Sequence, residues 1–298
     1  MRPVVTIGNF DGVHLGHRAL LAAARDLGRR LAKTPGEPRR VTAVTFDPTP
    51  RDVMQPGHGI PQIQTLADRV RTLREAGADA VVVEPFTREL AGWSPERFAD
   101  EILGVRLGAR GIVVGWDFRF GHDRAGDAEL LRHRLGVPVE QVGPVLLDGE
   151  PVSSTRVRRA VLAGDLDLAA RLLDRPHEIV GPVVVGDRRG RTIGFPTANV
   201  RPETALLPPP GVYAVRAVLP GGELRGGVAN LGERPTFGPG RGRLEVHLFD
   251  FDGDLYDAPL RVQIVARLRE ERAFPTLEAL VTQIRADADA ARARLVAR

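Results

Sequence analysis

Two kinds of hydrophobic patterning divide the chain. Short continuous apolar runs stand at 4–8, 41–46, 80–84, 111–115 and 137–142. Between them, at 18–31, 66–76, 94–107 and 127–135, apolar residues recur every three or four positions. Continuous runs read as strands buried on both faces, and the wider spacing reads as helices with one apolar side. Their alternation predicts a parallel sheet with helices on both faces. After a helix at the start of 153–162 and a second at 166–173, residues 175–178 read as a linker. Beyond it the pattern is alternating or β-branched, at 180–186, 211–219, 223–231, 243–249 and 260–266, with Gly and Pro between. That predicts a small antiparallel barrel, closed by a helix at 276–296. In this last helix Leu277, Leu280, Ile284, Ala288, Ala291 and Leu295 form a stripe that reads as core packing.

Composition narrows the class. With 298 residues, 43% hydrophobic and 27% charged, the chain reads as a soluble globular protein with one large or two ordinary cores. It has no cysteine, so disulfides and thiolate chemistry are excluded. The first strand begins almost at once, no apolar run reaches spanning length, and the expected location is the cytoplasm, away from membranes. Net charge is +4 and the pI about 10.4, but the basic residues are scattered among 38 acidic ones, so nucleic acid is not an expected partner. The one lysine, Lys33, follows Ala32, so there is no Walker A loop, and any ATP phosphates must be held by backbone, His, Arg and a metal.

Candidate chemistry gathers at the predicted C-terminal strand ends, where ligands of such sheets sit. Gly8-Asn9-Phe10-Asp11-Gly12-Val13-His14-Leu15-Gly16-His17 joins the first strand to the first helix. A Gly-rich turn before a helix N-terminus offers N–H groups and dipole to a phosphate. His14 and His17, three apart, share a helical face and could stabilise the charge of a phosphoryl or nucleotidyl transfer; with Asp11 they could instead hold a metal. Phe46-Asp47-Pro48-Thr49-Pro50-Arg51 reads as a stiff turn, and 54–64 as a mobile loop. Ser154 and Thr155 meet Arg158 on one helical face, a second phosphate clamp, although hydroxyls there also read as a helix cap. In the barrel half, Thr197 and Asn199 alternate onto one face and offer hard oxygen ligands to Mg²⁺. Glu245, among apolar strand residues, can serve as a base. Taken alone, the first pair reads more readily as turn chemistry and Glu245 as an outward strand residue.

The motif Phe10-Asp11-Gly12-x-His14-x-Gly16-His17 resembles the signature of the HxGH nucleotidyltransferases. With Thr6-Ile7-Gly8-Asn9 before it, it resembles the N-terminal module of the bacterial bifunctional riboflavin kinase/FMN adenylyltransferases, or FAD synthetases. The resemblance continues through Phe46–Arg51, Gly115-Trp116-Asp117-Phe118-Arg119-Phe120-Gly121, Ser153-Ser154-Thr155-x-x-Arg158, Gly194-Phe195-Pro196-Thr197-Ala198-Asn199, Gly211-Val212-Tyr213, Arg234-Pro235-Thr236-Phe237, Glu245 and Leu268-Arg269-Glu270-Glu271. It implies a Rossmann-like α/β nucleotidyltransferase domain at 1–175 and a riboflavin-kinase-like barrel with a C-terminal helix at 179–298. The implied activities are phosphorylation of riboflavin to FMN by ATP and adenylylation of FMN to FAD, with pyrophosphate released. His14, His17, Asp117, Ser154, Thr155, Arg158 and Glu245 are then catalytic, and Thr197 and Asn199 hold Mg²⁺ with ATP. Gly8, Asn9, Phe10, Asp11, Gly12, Phe46, Asp47, Pro48, Arg51, Phe118, Gly194, Phe195 and Arg269 contact substrates or cofactor. Flavoproteins become possible transient acceptors of FAD. One departure is Asp257, after Tyr256, where glycine is usual in the family.

Three other readings stay open on sequence: one module degenerate, a flavin-responsive regulatory protein, and a nucleotidyltransferase for another phosphorylated substrate.

Overall fold

The computed structural model describes residues 2–32, 40–186, 190, 193–232 and 242–296. Lys33, Arg191, Thr192 and the motif Arg234-Pro235-Thr236-Phe237 lie outside the described residues. Contacts divide the chain into two units, Met1–Pro61 with Leu66–Ser153, and Gln62–Thr65 with Ser154–Arg298.

The first unit is built on β1 (Val4–Ile7), β2 (Val41–Phe46), β3 (Ala80–Glu84), β4 (Gly111–Gly115) and β5 (Val139–Val142). They form a parallel sheet in the order β3-β2-β1-β4-β5. The short apolar runs become strands because each has apolar partners on both faces. Alternate residues of a strand point to opposite sides. Thus Val4 packs with Leu20, Leu21, Ala24 and Leu27 of α1 (Leu15–Leu31), whereas Val5 and Ile7 pack with Phe98, Ile102, Leu103 and Leu131 across the sheet. Full burial of each such side chain stabilises by roughly 1.5–3 kcal/mol.

Several elements depart from the sequence pattern. The turn at 46–51 gives way at Pro50 to a short helix, α2 (Pro50–Met54), capped by Thr49, whose hydroxyl accepts from the Asp52 N–H at 3.4 Å and donates to Asp52 Oδ2 at 2.7 Å. Of the expected loop at 54–64, Met54 closes that helix, and Ile63 and Gln64 are buried just before α3 (Leu66–Glu75). A one-turn helix, α4 (Arg88–Ala91), is added after β3. The single helix expected at 94–107 is α5 (Pro95–Phe98) running into a π-helical stretch, Ala99–Arg106. Its wider turn still buries Ala99, Ile102 and Leu103, so the apolar spacing alone does not reveal it. The strand expected from 137 begins at Val139, preceded by α6 (Ala128–Leu135) and followed by a small hairpin, β6 (Leu146–Leu147) with β7 (Glu150–Pro151).

The second unit begins with α7 (Ser154–Ala163) and α8 (Leu166–Leu173). Asp174 ends α8 in the left-handed region at φ 58°. The barrel follows: β8 (His177–Val184), β9 (Ala198–Val200), β10 (Gly211–Val218), β11 (Leu224–Gly232), β12 (Arg243–Leu248) and β13 (Pro259–Arg269), closed in the order β10-β11-β12-β9-β8-β13. His177 and Glu178, read as linker, are the first residues of β8 and pair with Ile264 and Gln263. His177 is hidden there because its Nε2 hydrogen-bonds the Leu206 carbonyl at 2.9 Å. Leu166 of α8 joins the barrel core with Ile179, Tyr213, Leu244 and Val246.

The last helix, α9 (Leu277–Val296), lays Ala288, Ala291 and Leu295 on Val212, Ala214, Val228 and Phe249. Leu277 is 55% exposed, so the expected core stripe fails at its first residue, which overhangs the barrel at the helix start. At Asp257 the backbone takes φ 60°. The aspartate that stands where the resemblance expects glycine adopts this left-handed conformation, being one of the few residues besides glycine that do so readily.

Candidate active sites

In the sheet, β1 lies between β2 and β4, so the strand order reverses beside it. Ligands of open α/β sheets sit outside the strand ends at such a reversal. The turn at Gly8–His14 stands there. Phe10 (φ 51°) and Val13 (φ 42°) are both left-handed and fully buried, with the Val13 N–H donating to the Phe10 carbonyl at 3.2 Å. A β-branched residue in that region stores about 1–3 kcal/mol, retained where the surroundings fix the turn. The turn is also tied sideways, because Thr45 Oγ1 donates to the Asn9 carbonyl at 3.0 Å and the Gly8 N–H donates to the Val44 carbonyl at 3.1 Å.

His14 occupies the N-cap of α1 in an extended conformation, and its carbonyl accepts from the Arg18 N–H at 3.0 Å. His17 is one turn in. The two rings stack with centroids 3.6 Å apart and 17° between planes. Phe10 meets His17 edge-on at 5.1 Å. No acidic residue stands in the first turn of α1, so the helix dipole is left for an anion. Burial first, then the His14 ring and the Arg69 charge, hold His17 well below the usual histidine range. It is therefore neutral near pH 7 and can donate one N–H, and its Nδ1 is buried without a hydrogen bond among the described residues. No group of three or more His, Asp or Glu suited to a metal occurs among the described residues, which leaves the metal reading of His14, His17 and Asp11 without a cage.

Arg69 is the residue that sequence reasoning missed. It lies in α3 with no exposed surface, and its Nη1 donates to the Phe46 carbonyl at 3.0 Å and Thr45 Oγ1 at 3.3 Å. Burial lowers its pKa, and Asp11, Asp47 and Asp52 oppose that shift. One buried cation thus ties α3 to the end of β2 and feels the charge of Asp11 in the turn after β1. A signal was present: Arg69 falls on the stripe of Leu66 and Leu73, where an apolar residue belongs.

Around this centre, Phe46 is buried, Asp47 half-buried, and Pro48 and Arg51 exposed. Asp117 is exposed in the turn after β4, where the Phe118 N–H donates to the Gly115 carbonyl at 3.1 Å. Phe118 stacks on Phe120 at 5.4 Å, and Arg119 is held by Asp127 at 2.8 Å. Gly121 (φ 73°) closes this turn against Pro95, where a Cβ would lie 2.7 Å from the proline ring. Ser154, Thr155 and Arg158 lie in the first turns of α7 and so belong, by contacts, to the second unit.

In the barrel, Asn199 of β9 and Glu245 of β12 are direct cross-strand partners. Such partners project to the same side. Their neighbours Val200, Leu244 and Val246 fill the barrel interior, so the pair faces outward. Two cavities adjoin this pair, the first reaching the interior side through Val183, Ala198, Val246 and Leu248, the second on the outer side beside α9. One, about 350 Å³, is lined by Thr197, Asn199, Leu248, Phe251, Asp254 and Tyr256. The other, about 300 Å³, is lined by Thr197, Phe195, Asn230, Glu245, His247 and Phe274, among others. Thr197 borders both, so a group held in one cavity reaches the other past Thr197, with Asn199 on one side and Glu245 on the other.

The wall is braced. His247, two residues from Glu245, donates from Nδ1 to the Pro196 carbonyl at 2.9 Å and meets Phe195 edge-on at 5.3 Å. Gly194 turns at φ 84° just before. Asn230 Nδ2 donates to Glu271 at 2.9 Å. Arg269 lines the second cavity with its charge already paired, Nε and Nη2 donating to Asp287 of α9 at 3.0 and 2.7 Å. Thr197 and Asn199 offer two neutral oxygens, and among the described residues no group of three or more His, Asp or Glu suited to a metal surrounds them. That donor set suits Mg²⁺ arriving on phosphates, which needs only one or two protein ligands.

A parallel-sheet unit with a paired-histidine helix start, followed by a closed barrel carrying an Asn–Glu pair on its outer face, matches family models of nucleotide-dependent transferases. A family model for FAD synthetase matches residues 1–156, and one for riboflavin kinase matches 173–295. The bifunctional riboflavin kinase/FMN adenylyltransferase of Pseudomonas fluorescens is 46% identical over 294 residues, covering 97% of this chain and 92% of that one. That of Escherichia coli K12 is 39% identical over 287 residues, covering 95% and 90%. A solved structure described as a macrolide-efflux protein from Streptococcus pneumoniae superposes with a TM-score of 0.86 at 32% identity, covering 98% of this chain and 94% of that one. The chain belongs to the bifunctional riboflavin kinase/FMN adenylyltransferase family. Among the described residues no helix is long and apolar enough to cross a membrane.

Proposed function

We propose that the chain converts riboflavin to FMN in its barrel and FMN to FAD in its α/β unit, using ATP twice. What carries the reading is that each family signature folds into a separate, chemically apt centre: the stacked His14–His17 pair at the start of α1, and the Asn199–Glu245 pair between two cavities.

In the barrel, riboflavin takes the cavity beside Glu245 and ATP the cavity beside Asn199. Glu245 accepts the proton of the ribityl 5′-hydroxyl as its oxygen bonds to the γ-phosphorus, and ADP leaves. Thr197 and Asn199 are the residues to hold Mg²⁺, which supplies charge compensation on the phosphates. Phe195 and Gly194 shape the flavin side, and Arg269 fixes its floor through Asp287. The kinase domain is taken as 179–298.

In the α/β unit, taken as 1–175, an FMN phosphate oxygen attacks the α-phosphorus of ATP and pyrophosphate leaves. The FMN phosphate is already ionised near pH 7, so no base is required; placement and charge stabilisation are. His14 and neutral His17 donate N–H groups to the phosphates beside the α1 N-terminus, and the family resemblance assigns Ser154, Thr155 and Arg158 to the triphosphate. Gly8, Asn9, Phe10, Asp11 and Gly12 shape the turn around it. Asp117 and Phe118 contact the nucleotide, and Phe46, Asp47, Pro48 and Arg51 the flavin phosphate. The enzyme is placed in the cytoplasm, with flavoproteins as transient acceptors of FAD.

The test is incubation with riboflavin and Mg–ATP, with FMN and FAD separated by chromatography over time. FMN should appear first and FAD after it. Flavin binding without either product would favour a regulatory role and reject this reading.

A further inference from the structure

Arg243 is not used by the reaction just described, yet it lies at the centre of the kinase residues. It stands two residues before Glu245 on β12, so both side chains project from the same face. Its Nε donates to Asn199 Oδ1 at 2.8 Å, and its Nη2 donates to the same oxygen. The same Nε lies 3.1 Å from Glu245 Oε1. One guanidinium therefore spans the amide oxygen assigned to the metal and the carboxylate assigned to the proton. The fit is close: a Cβ on Gly186 would come within 2.5 Å of Arg243 Nη2 and 2.2 Å of Asn199 Nδ2, so any side chain there would displace both ends of the pair. The Arg243 side chain is 21% exposed and Glu245 36%, which leaves the pair only partly screened by water.

We propose that Arg243 is a resident counter-cation of the kinase centre, holding Asn199 and Glu245 until a metal-bound nucleoside triphosphate arrives, so that the divalent ion enters only together with nucleotide. The proposal rests on the assignment of Asn199 and Thr197 to the metal. A divalent ion on Asn199 Oδ1 would stand within a few ångströms of the guanidinium, and like charges at that distance repel strongly in a partly dry site. The triphosphate removes the obstacle because it offers Arg243 other anionic acceptors, to which a guanidinium binds in two-pronged fashion. Release of Arg243 then frees Asn199 for the metal and Glu245 for the riboflavin hydroxyl in the same event. The arrangement also keeps the base paired while no phosphoryl donor is bound.

The consequence is a coupling between metal and nucleotide, which must be reciprocal. The test uses the full-length protein and Mn²⁺ as probe, with free Mn²⁺ followed by electron paramagnetic resonance, first alone and then with ADP. The α/β unit is identical in all proteins compared, so differences report the barrel. In the unsubstituted protein ADP should tighten Mn²⁺ binding. In Arg243→Gln, Mn²⁺ alone should bind more tightly, and the enhancement by ADP should shrink by on the order of tenfold. Arg243→Lys, which keeps the charge, should keep most of the enhancement. FAD formation from supplied FMN checks that each variant is folded.

Equal ADP enhancement in the unsubstituted protein and in Arg243→Gln would overturn the role of Arg243 while leaving the metal assignment in place. Should Asn199→Ala and Thr197→Val leave Mn²⁺ binding with ADP unaltered, the metal assignment itself fails, and this proposal with it.

Discussion

In the proposed mechanism the two centres reach the same end, a grip on nucleotide phosphates without lysine, by opposite means. The α/β centre is made mainly of backbone. Phe10, Gly12 and Val13 hold a left-handed turn, α1 presents its N-terminus, and buried, neutral His17 adds a donor. The barrel centre is made of side chains set by strand register, Asn199 opposite Glu245 and Arg243 beside both. The difference follows from the chemistry each performs. Adenylyl transfer to an ionised phosphate needs a shaped, positive cradle. Phosphoryl transfer from ATP to an alcohol also needs a base, and a base must be an ionisable side chain at a defined place.

The largest effects should separate the two centres. Glu245→Gln is expected to slow FMN formation about 10²–10⁴-fold, the usual weight of general-base catalysis, with FAD formation from supplied FMN unchanged. His17→Ala should slow the second reaction about 10²–10³-fold and spare the first. Steady-state rates measured with each flavin separately check both, and a variant that lost both activities would show that the centres are not independent.

Next in size is the Arg269–Asp287 pair, where Asp287 is buried and Arg269 nearly so. Asp287→Ala leaves the guanidinium without its partner and should cost about 3 kcal/mol of stability. Denaturant unfolding should locate that loss in the barrel, with adenylyl transfer from FMN surviving at concentrations where the kinase has failed.

A pH effect should have similar size. Burial pushes His177 down to about 4 from its ordinary 6.5. The unfolded chain therefore takes up this proton below pH 6.5, and the folded chain does so only near pH 4. The sign is a loss of stability as pH falls from 6.5 to 4, at most about 3 kcal/mol, with no further loss from this group below that. His177→Gln should flatten the curve in that window. The smallest effect expected is at Asp257, where φ is 60°. Asp257→Gly should be neutral or stabilise by up to about 1 kcal/mol, read from the melting temperature.

The fold was legible wherever burial writes itself as apolar periodicity. The five sheet strands and the barrel strands from β10 onward follow the runs of Val, Ile and Leu closely. What escaped was structure held by polar groups or by an unusual turn. His177 starts β8 because one ring nitrogen finds the Leu206 carbonyl, and no apolar pattern announces that. The π-helical turns at Ala99–Arg106 bury the same side chains an α-helix would.

The candidate sites were legible as motifs, through resemblance, while their electrostatics were not. Arg69 and Arg243 belong to no motif that announces a role, in a chain rich in arginine. Only the folded structure puts one beneath Phe46 and the other between Asn199 and Glu245.

The most direct test of two self-sufficient centres on one chain is complementation between variants. Given riboflavin and Mg–ATP, Glu245→Ala alone should make almost no flavin nucleotide, and His17→Ala alone should stop at FMN. Mixed, the two proteins should make FAD. FAD from either variant alone at the unsubstituted rate, or no FAD from the mixture, would contradict the account.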